Sequence, residues 1–272
     1  SGECPTSWPH VIRTWEDQVE GLPMVDAREI TSKQKQIAVS EFFEKNKHFL
    51  GFDSLQRSLI TAVKESVDNS LDACEEARIL PNISVQIDRL KGDEIRLVTQ
   101  DNGPGIPRDA VEHVFGKFLL GSRFHAIRQT RGQQGIGITG VVMYSQLTTG
   151  VKTKVTSKIA SDSSAVFVDI GLDTRKNRAI KSREKRDVWF DDITGEVVEH
   201  GLRIEARMKG KYQRGKQSVF QYLRMTSIVN PHATISLVVR DRDGEVYEQG
   251  SWKRTTDKLP RVVEEIKPHP HG

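Results

Sequence analysis

The 272-residue sequence predicts an α+β fold built on a mixed, mostly antiparallel sheet. Two observations carry this. Alternating apolar and polar runs come in pairs separated by short turns, the pattern of hairpins, and helical stretches lie between the pairs.

Taken in order, "AVSEFFEKN" (38–46) reads as a short helix. Asp53 or Ser54 can cap a long helix over about 55–78, with Gln56 or Arg57 in its first turn. Leu59, Val63, Val67, Ser70 and Cys74 recur at the three-to-four spacing of a buried stripe. The runs "ISVQIDRL" and "EIRLVTQ", joined by Lys91-Gly92-Asp93, make a hairpin. Residues 109–120 read as helix, 123–137 as a polar glycine-bearing loop, and 138–147 as helix. "KVTSKIA" and "AVFVDIGL" form a second hairpin and "LRIEARM" a further strand. The charge-rich run 174–187 is expected to be a solvated loop. A helix over about 216–228 precedes "ATISLVV" and "GEVYEQG", which flank the turn Asp241-Arg242-Asp243-Gly244.

Residues 1–33 show no periodicity and are read as an amino-terminal extension, flexible or partly tag-derived. Residues 34–250 form the folded domain, and 251–272, rich in proline, histidine and charge, an extended linker. No apolar run approaches the roughly 18 residues of a membrane span. The two cysteines, Cys4 and Cys74, make neither a disulfide framework nor a zinc site, which predicts a cytoplasmic protein without a membrane partner. A net charge of +4 permits nucleic-acid binding without establishing it.

Three segments carry the chemistry. Glu65, Asn69 and Asp72 stand at i, i+4 and i+7 of the long helix and share a face away from the apolar stripe. Such a trio is ordinarily a solvated face, and here two further segments change its meaning. The first hairpin ends in "QDNGPGIP", where Asp101 precedes a turn whose glycines let backbone approach a planar ligand. Then "RGQQGIGITG" (131–140) runs into a helix start, where backbone N–H groups can hold phosphate. No GxxxxGK[ST] loop is present, and these glycines follow a helix and a loop, not the first strand of a βαβ unit, which excludes the commoner nucleotide folds.

In this order "ESVDN", "DNGPG" and "RGQQGIG" resemble the three motifs of the ATP-binding fold shared by DNA gyrase, heat-shock chaperones, histidine kinases and MutL, the GHKL or Bergerat fold. Within it, "SEFFEKNKHFLGFDS", "VKESVDNSLDACEEARILPNISV", "FGKFLLGSRFHAIRQTRGQQGIGI", "YSQLTTG", "TSIVNPHATISL" and "KPHPHG" are similar to the B subunits of archaeal type IIB topoisomerases, the topoisomerase VI family, over about residues 34–272.

The resemblance implies a sandwich with helices on one face of the sheet. It implies an ATPase, using ATP and Mg²⁺, whose nucleotide-driven self-dimerisation gates the passage of duplex DNA, with strand cleavage supplied by an A subunit in an A2B2 assembly. Glu65 would act on the attacking water, and Asn69 would hold Mg²⁺ and nucleotide. Asp101 would accept from the adenine amino group, with Gly105 leaving room for the ring. Ser122 and Arg123 would sit over sugar and phosphates. Gly132, Gln133, Gln134, Gly135, Ile136 and Gly137, with Ile138 and Thr139 following, would form the lid over the β- and γ-phosphates. Asp68 and Asp72 are read as structural neighbours and His125 as a surface histidine.

A basic run, "MKGKYQRGKQS", resembles the family's DNA-touching loop, one residue shorter, and makes Lys209, Lys211, Arg214 and Lys216 candidates for phosphate contact. Two departures stand out. Where the family has glycine-threonine at its fourth motif this sequence has Gly201-Leu202, and it stops where the family continues into a helix-two-turns-helix module and a lysine-bearing transducer, as an isolated ATPase domain or a fragment would. The alternatives are a MutL-like or chaperone-like ATPase clamp, which would share the three motifs without the longer matches, and a non-catalytic scaffold relative, against which Glu65, Asn69 and Asp101 argue.

Overall fold

The long helix forms because its cap and its stripe agree. In a computed structural model, which describes residues 45, 47, 48, 50–116, 137–173, 178–192 and 194–261, helix α1 spans Leu55–Glu76. Ser54 caps it, its hydroxyl accepting from Arg57 N at 3.3 Å. Leu59, Val63, Val67, Ser70 and Cys74 are all buried, as their spacing requires.

The remaining elements follow in chain order: β1 (Asn82–Arg89), β2 (Glu94–Asp101), α2 (Val111–Gly116), α3 (Gly137–Thr149), β3 (Thr153–Lys158), β4 (Ala165–Asp173), β5 (Arg178–Asp187), β6 (Gly201–Lys209), α4 (Val219–Val229), β7 (Thr234–Arg240) and β8 (Val246–Trp252). They make one eight-stranded sheet in the order β5-β4-β3-β6-β2-β1-β7-β8. β1 and β7 pair in parallel and every other neighbouring pair is antiparallel. The expected mixed, mostly antiparallel sheet is thus borne out.

One face of the sheet carries Ile83, Val85, Ile87, Ile235, Leu237 and Val239 into a core shared with Leu59, Val63, Val67 and Leu71 of α1 and Leu223 of α4. The described helices pack together on that side. The opposite face is polar and charge-paired: Arg96 reaches Asp88 at 2.8 Å and Glu205 at 2.6 Å, and Lys154 reaches Glu205 at 3.2 Å. The period-two alternation of the strands produces this division directly.

Two expectations are corrected. The run expected to be a solvated loop contains β5, an edge strand paired to β4 and buried at Ala179. Its lysines, arginines and Glu184 obscure the strand signal because an edge strand gains its one ladder while its charges deter pairing with another chain. The expected linker also begins too early at 251. Ser251 and Trp252 complete β8, Trp252 packs edge-on against Phe220 at 5.1 Å, and Thr255 N donates to Pro231 O at 2.8 Å. Residues 1–33 lie outside the described residues.

Candidate nucleotide-binding site

Asp101 ends β2 and is only 5% exposed. Its Oδ1 accepts from Gly103 N at 2.9 Å and Leu202 N at 3.2 Å, and its Oδ2 accepts from Ser70 Oγ at 2.7 Å. Burial pushes its pKa above the ordinary carboxylate range, while these three donors pull the other way. A buried carboxylate held by so many donors is oriented before any ligand arrives.

The turn that follows is fastened by its neighbours. Asn102 Oδ1 accepts from Asn82 N at 2.7 Å, and its amide donates to Leu80 O at 3.1 Å. Ser157 Oγ of β3 accepts from Ile106 N at 2.7 Å. Gly105 sits at φ +72°, and a Cβ there would lie 2.1 Å from the Lys158 carbonyl oxygen. The expected reason for this glycine is space for a nucleobase. The structure adds a nearer one, the close approach of the β3 backbone.

Glu65 and Asn69 lie one turn apart on the flank of α1, both half-buried and not solvated. The start of α3 closes over Glu65, because a Cβ on Gly137 would stand 1.8 Å from Glu65 Oε2. The last glycine of the phosphate-loop motif therefore abuts the carboxylate predicted to handle water. Burial first, then the Asp68 carboxylate, push the Glu65 pKa upward against the pull of Lys64. Of the other lid candidates, Ile138 packs on the core and Thr139 is buried in the first turn of α3. Ser122, Arg123, Gly132, Gln133, Gln134, Gly135 and Ile136 lie outside the described residues, as does His125.

Sequence reasoning missed three participants. Ser70 belongs by spacing to the apolar stripe; it is buried there, yet its hydroxyl serves Asp101. Tyr222 of α4 donates to Asp68 Oδ1 at 3.0 Å, beside the catalytic candidate. Leu202, read as a missing hydroxyl, contributes its backbone N–H to Asp101 instead, and its side chain packs on the core. A backbone donor leaves no mark in residue type, so no sequence signal could reveal it.

For Mg²⁺, no group of three or more His, Cys, Asp or Glu able to hold a metal occurs among the described residues. A single oxygen donor such as Asn69 fits a cation that brings its other ligands as water and phosphate oxygens.

The basic run divides. Lys209, Lys211 and Lys216 are exposed. Arg214 lies over the Tyr247 ring, 4.0 Å from its centroid, and bonds Tyr247 O, with Glu248 at 3.5 Å. Because Asp101 pairs with Leu202 and Glu94 with Lys209, this run begins at the far end of β6 from the Asp101 turn. At about 3.4 Å per residue the separation along the strand is roughly 24 Å.

The structure thus sets the last glycine of the phosphate-loop motif against Glu65 on α1 and fastens Asp101 at the glycine turn. The family described as histidine kinase-, DNA gyrase B- and HSP90-like ATPase matches residues 54–174. A domain of that family therefore lies within residues 54–174. The narrower resemblance is also borne out. The chain is 50% identical over 247 residues, 90% of its length, to the B subunit of type 2 DNA topoisomerase 6 from Methanosarcina acetivorans. It is 48% identical over 244 residues, 89% of its length, to that of Archaeoglobus fulgidus, and 43% over 260 residues, 95% of its length, to that of Halobacterium salinarum. It spans 38%, 38% and 31% of those relatives' own lengths. No described helix is long and apolar enough to cross a membrane.

Proposed function

We propose that this chain binds ATP with Mg²⁺ and hydrolyses it, as the nucleotide-operated part of the B subunit of a cytoplasmic type IIB topoisomerase. The observation that carries the reading is the seating of Gly137, the last glycine of the phosphate-loop motif, against Glu65 of α1. Glu65 orients a water and takes its proton as the oxygen attacks the γ-phosphorus, and the bond to the bridging oxygen breaks to leave ADP and phosphate. Mg²⁺, held through Asn69, would neutralise charge on the phosphates. Asp101 accepts from the adenine amino group. Ser122, Arg123 and the run Gly132–Thr139 cover sugar and phosphates. Self-dimerisation on ATP, pairing with an A subunit in an A2B2 assembly and contact with duplex DNA complete the reading; the similarity to the B subunits supports them.

The test of the base pocket is Asp101→Asn, followed by calorimetry with ATP and GTP. A charged hydrogen bond contributes about 1.5–3 kcal/mol, so ATP affinity should fall roughly 10- to 150-fold and discrimination against GTP should relax. Stability should move the other way. The folded-state pKa of Asp101 is raised, so its contribution is full below the unfolded carboxylate pKa and is lost as pH rises through the folded value. Asparagine removes that penalty, and the ligand-free variant should melt higher than the parent at pH 7. Unchanged nucleotide affinity would take Asp101 out of the base pocket.

For DNA, the exposed pair Lys211 and Lys216 are the informative targets, since Arg214 is already engaged by Tyr247 and Glu248. Changing both lysines to glutamate should weaken duplex binding by the A2B2 enzyme and lower the slope of log K against log salt by about one per lost contact. ATP affinity should hold, given the distance along β6. Superimposable salt titrations would make these lysines ordinary solvated residues.

A further inference from the structure

His200 enters neither the three motifs nor the chemistry above. It stands half-buried just before β6, and its Nδ1 lies 2.8 Å from the carbonyl oxygen of Gly103. A carbonyl can only accept, so Nδ1 carries the hydrogen in this contact. Gly103 is thereby gripped on both sides: its N–H donates to Asp101 Oδ1 at 2.9 Å and its carbonyl accepts from His200. Two residues further on, Leu202 N donates to the same Asp101 oxygen. The residues 200–202 thus hold the turn at its glycine and at its carboxylate.

We propose that His200 is a positioning residue for nucleobase recognition, its Nδ1–H fixing the Asp101–Gly103 turn so that the Asp101 carboxylate is presented to the adenine amino group. The proposal rests on the reading of Asp101 as the base acceptor. Because the base is common to ATP, ADP and adenosine, His200 affects all three alike and leaves the hydrolytic step alone.

The experiment compares four variants of the chain by nucleotide calorimetry and by kcat and KM for ATP: His200→Ala, His200→Asn, His200→Gln and Asp101→Asn. An asparagine amide places its nitrogen where Nδ1 stands, whereas glutamine places it nearer Nε2. His200→Ala should weaken ATP, ADP and adenosine by a common factor of about three to ten, the worth of one neutral hydrogen bond, with kcat unchanged. His200→Asn should recover parental affinity to within about twofold, and His200→Gln should behave like alanine. If His200→Ala binds all three ligands like the parent while Asp101→Asn does not, the positioning role is overturned and the base pocket stands. If Asp101→Asn itself leaves affinity unchanged, the base-pocket reading falls, and the proposal with it. Should the alanine variant fail to fold, equal affinities for the asparagine and glutamine variants would overturn the proposal.

Discussion

Glu65→Ala should bind ATP about as tightly as the parent and lose hydrolysis by roughly 10²- to 10⁴-fold, the usual worth of a positioned general base. The carboxylate lies on the flank of α1 under the first residue of α3, not in the Asp101 turn that would hold the base, so removing it spares the principal base contact. Single-turnover hydrolysis beside equilibrium binding of ATP separates the two effects. A parallel loss of both would give Glu65 a structural role.

The same residue sets a pH dependence. A base works ionised, and burial together with Asp68 raises the pKa of Glu65 above the ordinary carboxylate range. Turnover should therefore fail on the acid side at a higher pH than a solvated glutamate would allow. Replacing Asp68 by asparagine removes the like charge and should move that acid limb to lower pH. An acid limb unmoved by Asp68→Asn would leave burial as the sole cause.

Gly105→Ala should be the most destabilising single methyl in the site. The backbone is at φ +72°, where a side chain costs about 1–2 kcal/mol. The new Cβ would also stand 2.1 Å from a backbone carbonyl oxygen that cannot rotate away, and such overpacking adds about 1–3 kcal/mol. A loss of about 2–5 kcal/mol amounts to a fall of roughly 4–20 °C in Tm for a domain of this size. ATP affinity should fall with it, because the displaced turn carries Asp101. Thermal melts by circular dichroism with and without ATP measure both. A melting temperature within a degree of the parent would mean that β3 yields locally and that Gly105 serves only the ligand.

How much of this was legible beforehand depends on how far along the chain the interacting groups lie. The cap at Ser54, the buried stripe of α1 and both hairpins rest on contacts a few residues apart, and they stand where their patterns place them. Edge strand β5 escapes such reading because local charge outweighs local alternation in a strand that buries little. The site divides the same way. Glu65, Asn69 and Asp101 are legible because residue type and spacing express their chemistry.

By itself, then, the sequence determined the α+β class, the order of the three nucleotide motifs and the ATPase family they mark, since each depends on side-chain type at short spacing. Tertiary structure alone decided that Ser70 and the Leu202 N–H hold Asp101. It alone seated Gly137 on Glu65, turned Arg214 onto Tyr247 and brought His200 to the Gly103 carbonyl. Those contacts join residues 31 to 101 positions apart and often use backbone atoms, which every residue possesses; only the pairing of distant strands and helices can bring such groups within hydrogen-bonding distance.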